Sequence, residues 1–223
     1  MTITYDMFKK LHDSAMASAP INTQSFIVDN LTTFKNKQYG AFWDGNHQVI
    51  VFKRDLTNNQ IQTYQTGIYN QADSTVSDPN LHNVIVLAVD EDGYIHLSYD
   101  HHNYPLNYRR SNNPEDITSW TAEISMTGQN EGSLTYPTFI KRPSDKELFF
   151  LWRDGYSGNG YICINRWDRV NKVWNVVTRT LLDGTTASPT ANPYWNRPCF
   201  DKLNRLHLSW CWRDDGTTSQ GVS

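Results

Sequence analysis

Cysteine is scarce: Cys163, Cys199 and Cys211 are the only three in 223 residues. No disulfide framework is implied, and at least one thiol is unpaired. An excess of either charge is also missing. The formal net charge of -3 supplies no basic field of the kind that draws a protein to nucleic acid or to an anionic membrane. Long apolar runs are absent, so no segment reads as membrane-spanning. The start, MTITYDMFKKLHDSAMASAP, lacks the basic stretch followed by an apolar core that marks a secretory signal. Nothing in the chain has the spacing of a phosphate-binding loop, a Ser-His-Asp elbow or a Cys-x-x-Cys metal clip. The chain is expected to be soluble as given, without a visible signal peptide.

Aromatic residues are plentiful at 13%, with 8 Trp and 12 Tyr, which suits strands with aromatic surfaces. Residues Tyr5 to Ala19 place Phe8, Leu11, Ala15 and Ala19 at a weak helical period, predicting one short leading helix within a segment 1–22. From 23 to 223 the pattern changes to short apolar runs punctuated by turn signals such as Asp44-Gly45-Asn46, Asp92-Gly93, Asp154-Gly155 and Asp183-Gly184. Four pieces repeat: KQYGAFWDG from Lys37, GYIHLSYDHH from Gly93, KELFFLWRDG from Lys146 and NRLHLSWCWRDD from Asn204. Each runs from a polar turn through an apolar-aromatic strand to Asp or Arg-Asp. Between them, PLNYRRSNNPEDITSWT and YICINRWDRVNKVWNVV each read as strand, polar turn and Trp-bearing strand. A several-stranded unit at this spacing is the pattern of a β-propeller. The expected fold is all-β: a β-propeller of four-stranded antiparallel blades, about three and a half of them in this chain.

Two neighbouring strands joined by the turn at Asp90-Glu91-Asp92-Gly93 bring His82, just before the first, beside His102, just after the second. A lone histidine at a strand end most often satisfies a hydrogen bond. Two at one rim form a pair able to take and give protons near neutral pH. His101 points to the other face by strand alternation, and His96 lies within the strand; both read as structural. The next repeat copies this geometry with Tyr136 at a strand start and Arg153 at the end of its neighbour. The plainer readings are a cap on the core for Tyr136 and an ion pair with Asp154 or Asp214 for Arg153. Around them Asn83, Asn159, Arg166, Tyr194, Trp195 and Arg197 offer amides, cations and rings suited to an acidic sugar. His207, Ser209 and Cys211 alternate along one strand, with Cys199 nearby, but this is weak evidence for a metal, and none is expected. No cofactor is expected either.

Three stretches carry a resemblance: HNVIVLAVDEDGYIHLSYDHHNYPLNYRRS, TYPTFIKRPSDKELFFLWRDGYSGNG and YWNRPCFDKLNRLHLSWCWRDD. Together they resemble the BNR-repeat propeller family that includes ulvan lyases and related polysaccharide lyases, over roughly Asp78 to Asp215. The sialidase aspartate box, Ser-x-Asp-x-Gly-x-x-Trp, does not occur. The resemblance implies a seven-bladed propeller that cleaves a uronate-containing polysaccharide by β-elimination. It implies that His82, His102 and Tyr136 supply acid and base while Arg153 neutralises the uronate carboxylate. Propellers close with about four to eight blades, so the ring is expected to close through further blades or another copy of the chain; the protein is expected to act outside the cell on an acidic polysaccharide. The alternative is a non-catalytic glycan-binding propeller module of a larger surface or phage tail protein.

Overall fold

The structure, a computed structural model, describes residues 10–16, 22, 30–69, 80–186 and 190–214. Sixteen strands succeed one another along these residues. Strands β1 (Leu31–Phe34), β2 (Lys37–Trp43), β3 (Gln48–Asp55) and β4 (Ile61–Tyr69) form one antiparallel sheet in sequence order. Strands β5 (Ile85–Val89), β6 (Ile95–Tyr99) and β8 (Tyr108–Arg110) form a second. The third is built from β9 (Leu134–Lys141), β10 (Leu148–Tyr156), β11 (Asn159–Asp168) and β12 (Val173–Asp183), with the short β7 (His102–Tyr104) added beside β9. Beyond them β13 (Asn192–Trp195) pairs with β16 (Trp210–Arg213), and β14 (Cys199–Phe200) with β15 (Leu206–His207). The described residues are thus all-β, with no closed barrel, in a propeller-like succession of antiparallel sheets.

The burial of β5 shows how these sheets stack. All five residues of IVLAV are buried. Ile85, Leu87 and Val89 enter a core shared with Trp43, Val49 and Val51 of the first sheet, whereas Val86 and Ala88 enter a second core with Phe139, Phe150 and Trp152 of the third. A strand covered on both faces needs no polar alternation, so it reads as a continuous apolar run. Each such side chain contributes roughly 1.5–3 kcal/mol of burial free energy. The repeat has a matching physical basis. In the first three pieces the seventh position is Trp43 in β2, Tyr99 in β6 and Trp152 in β10, each at most 1% exposed, whereas Trp210 in the fourth is 40% exposed. The three buried rings fill the space between adjacent sheets at the end of each second strand.

One local expectation is corrected and another refined. Residues 10–16 are not helical: Ala15 bridges to Asp44, the Met16 N–H donates to the Trp43 carbonyl at 3.0 Å, and Met16 is buried in the first core. Of this segment Met16 is the residue that is buried, while Ala15 is exposed; the rest of the expected helix lies outside the described residues. The Trp-bearing strand expected around Trp120 is present as an irregular stretch beside β8: Ser111 bridges to Trp120, the Thr121 N–H donates to the Arg110 carbonyl at 2.9 Å, and the Ile124 N–H donates to the Tyr108 carbonyl at 3.1 Å. The residues Asn112 to Ser119 that connect the two sides are rich in turn formers and include Pro114. The second sheet has three regular strands, with this irregular segment along the outer side of β8.

Candidate active site

The pairing of β5 with β6 aligns Ile85 with Tyr99. Residues just before β5 and just after β6 consequently meet at one end of the sheet. Asp100 turns the chain there with a left-handed φ of 63° and accepts a hydrogen bond from the Asn83 side chain at 2.8 Å. His82 and His102 emerge from this corner as a parallel stack, ring centroids 4.1 Å apart and planes 12° apart. The Asn80 side chain lies against both Nδ1 atoms, 3.1 Å from His82 and 2.6 Å from His102.

Strand β7 carries this pair to the next sheet. His102 pairs with Thr135 of β9, and Thr135 in turn pairs with Arg153 of β10. The β9–β10 register shifts between Leu151 and Arg153, and Tyr136, inside that bulge, has φ of 56°. A bulky residue in the left-handed region costs on the order of 1–3 kcal/mol and is retained where surrounding structure imposes it, often at a functional site. The bulge aims the Tyr136 ring at the stack, its centroid 6.0 Å from that of His82.

Arg153 occupies the repeat position that holds Asp44 and Asp100 in earlier units. It is 3% exposed. Its guanidinium lies 5.0 Å from the Tyr136 ring centroid and 4.9 Å from that of Tyr194. The expected partners Asp154 and Asp214 do not pair with it; Asp154 accepts from Asn130 at 3.0 Å. Among the described residues Arg153 makes no ion pair, and its Nε and Nη1 have no hydrogen-bond partner. A buried cation held by ring faces and a phenol, with donors left over, is costly unless an anion completes it.

The surrounding charges set the protonation states. Burial, then the Arg153 charge, holds the His82 imidazole below its ordinary value, so it is neutral near pH 7. Burial pushes the Tyr136 phenol up against the opposing pull of Arg153, so it stays protonated. Burial also pushes Tyr194 up. The Arg153 charge, hydrogen bonds from Ser157 and Arg213 and the Arg213 charge outweigh it, leaving that phenol below its usual range. One face of this site therefore holds a neutral imidazole, a protonated phenol and a fixed cation, the components of proton transfer beside an anion.

Of the other residues singled out from sequence, Tyr194 belongs to the cluster, and Trp195 packs edge-on to Tyr136 with centroids 6.2 Å apart. Asn159 sits at the β10–β11 hairpin, donating to the Tyr156 hydroxyl at 3.2 Å. Asn83 is fully buried and braces Asp100. Arg166 lies elsewhere: it aligns with Phe149, whereas Arg153 aligns with Ile162, a separation of about 13 Å along the strand. There it pairs with Glu147 at 3.6 Å. Arg197 is exposed and lines a separate cavity of about 420 Å³ with Lys141, Cys199 and Phe200. His101 is buried and accepts the Asn107 N–H at 2.8 Å, and His96 lies 2.7 Å from the Tyr108 hydroxyl. The expected alternation across His207, Ser209 and Cys211 breaks, because 208–209 separate β15 from β16; His207 instead faces Asp201 at 3.0 Å. Among the described residues no group of three or more His, Cys, Asp or Glu converges on a metal position.

Sequence reasoning missed Asn80, Ser157 and Arg213. Arg213 Nη1 donates to the Tyr194 hydroxyl at 3.2 Å, and Ser157 Oγ lies 3.4 Å from it. Arg213 reaches Tyr194 through the β13–β16 pairing; its signal was the Trp-Arg-Asp ending that it shares with Arg153. Asn80 carried a signal: an Asn two residues before a histidine is the spacing of an Asx turn.

Residues 37–222 match the model described as a BNR repeat-containing family member. Among solved structures, the polysaccharide lyase Uly1 superposes with a TM-score of 0.72 at 17% identity, covering 95% of this chain and 51% of that one. A PL25 ulvan lyase bound to -[GlcA(1-4)Rha3S]- superposes with a TM-score of 0.68 at 14% identity, covering 86% of this chain and 47% of that one. These likenesses establish a shared fold, and the chain spans about half the length of each. No curated protein matches by sequence.

Proposed function

The chain belongs to the BNR repeat-containing family, and from that premise and the site geometry we propose that it is part or all of a polysaccharide lyase acting on a uronate-containing polymer outside the cell. The observation that carries the reading is the Arg153 guanidinium, buried between Tyr136 and Tyr194 with no carboxylate partner among the described residues, beside the stacked His82 and His102. A uronate carboxylate supplies the missing anion. The saccharide bound to the ulvan lyase whose fold this chain shares contains glucuronate, which supports that substrate class.

In such a reaction a base takes the proton from the carbon next to the carboxylate. The electrons of that C–H bond form a carbon–carbon double bond, the glycosidic C–O bond breaks, and the leaving oxygen receives a proton. The proton taken is too weakly acidic unless the charge building on the carboxylate is stabilised, a role suited to a fixed, bidentate guanidinium. Neutral His82 suits the base and protonated Tyr136 the acid, with His102 beside the carboxylate. Each proton-transfer group typically contributes ~10²–10⁴-fold. The ring would be completed by further blades or a second copy.

Incubation with ulvan and a panel of other polyuronates is expected to produce unsaturated uronate ends, read as rising ultraviolet absorbance, and Arg153→Ala is expected to abolish the rise. Retention on the polymers without unsaturated products would assign the chain to glycan binding instead. Neither retention nor product on any polyuronate would overturn both.

A further inference from the structure

Asn80 touches both histidines with the two ends of one amide. Its Oδ1 accepts the His82 backbone N–H at 2.9 Å and faces His82 Nδ1 at 3.1 Å. Its Nδ2 lies 2.6 Å from His102 Nδ1. An amide's oxygen and nitrogen ends are ordinarily assigned from such networks, and here the backbone decides. A peptide N–H can only donate, so the atom against His82 is the oxygen and the atom against His102 is the NH₂.

The ring protons follow from that orientation. An oxygen acceptor requires His82 Nδ1 to carry the hydrogen, which makes Nε2 the acceptor nitrogen of the neutral ring. An NH₂ donor requires His102 Nδ1 to present its lone pair, which places that ring's hydrogen on Nε2. We propose that Asn80 is a positioning residue that holds the stacked His82 and His102 in opposite tautomers, one ring offering a basic Nε2 and the other an Nε2–H donor.

Two identical side chains are thereby made unlike by one neighbour. Resting on the lyase reading, His82 Nε2 becomes the atom that takes the substrate proton, and His102 Nε2–H the one that donates a hydrogen bond to the substrate carboxylate. The tautomer split itself depends only on the geometry. Without it, the two rings would be interchangeable donors or acceptors, and part of the population would be wrongly protonated for either role.

The test uses the full chain with ¹⁵N-labelled histidine in mildly alkaline buffer, reading two-bond nitrogen–proton correlations that separate the tautomers. The expected result is a protonated Nδ1 on His82 and a protonated Nε2 on His102. Asn80→Asp keeps the shape but replaces the NH₂ donor with a second acceptor oxygen. It is expected to move the His102 hydrogen to Nδ1, leave His82 unchanged, and lower kcat by about 10²-fold with little change in KM. The same tautomer on both wild-type rings, or an unaltered His102 pattern in Asn80→Asp, overturns the proposal. If that variant does not fold, the wild-type spectrum alone decides. An intact tautomer split in a chain that yields no unsaturated product refutes the lyase reading and leaves this proposal standing.

Discussion

His82 and His102 stack so closely, 4.1 Å between ring centroids, that the pair accommodates one positive charge far more readily than two. Two unit charges at that distance repel by about 4 kcal/mol at an effective dielectric constant near 20, and the Arg153 charge adds to the penalty on His82. The two rings are therefore expected to take protons in separate steps that belong to the pair. An NMR titration should show both rings responding at each step, and single, superimposable, independent curves would contradict the coupling.

Tyr136 presents its ring to the Arg153 guanidinium, and on the lyase reading its hydroxyl serves the proton transfer, so the two functions are separable. Tyr136→Phe retains the cation–π face at 5.0 Å and removes the phenol. On the lyase reading kcat is expected to fall by ~10²–10⁴-fold with KM little changed. A variant as active as the wild type would remove the phenol from the acid role and leave Tyr136 as a wall of the site.

How much of this was legible in the sequence depends on the range of the interactions involved. Strand order and alternation place His82 beside His102 and Tyr136 beside Arg153, because each pair spans one local hairpin. The irregularity of the strand around Trp120 and the remoteness of Arg166 were not legible, because they depend on where a hairpin bulges or frays. The aromatic sandwich around Arg153 was not legible either: Tyr194 and Arg213 arrive from a non-local strand pair. Nor does any local pattern reveal that β7 joins the third sheet, the step that unites the two halves of the site.

Gly155 shapes the hairpin that follows Arg153. Its φ is 98°, and a Cβ there would lie 2.5 Å from the Asn159 carbonyl oxygen, a backbone atom that cannot swing aside. Gly155→Ala therefore combines a disfavoured conformation with a steric clash. It is expected to destabilise the fold by about 1–3 kcal/mol and to displace Arg153, visible as a lower Tm together with weakened glycan binding. An unchanged Tm would show that the hairpin can relax around the added methyl.

His101 links stability to pH independently of catalysis. It is fully buried, its Nε2 accepts the Asn107 N–H, and burial pushes its imidazole down to about 3. In the unfolded chain a histidine binds its proton near the usual value of about 6.5. Between these values the unfolded chain holds a proton that the folded chain does not, so stability falls as pH drops below about 6.5 and continues to fall until about 3. One such group contributes a slope approaching 1.4 kcal/mol per pH unit, or about 2 kcal/mol by pH 5. His82 and His96, also held low by burial, act in the same direction, so the test is a difference. His101→Gln keeps an acceptor for the Asn107 N–H but cannot titrate. Its denaturant-measured stability should decline less between pH 7 and 5 than that of the wild type, by about one proton's worth of slope. Parallel curves would show that His101 is protonated in the folded protein.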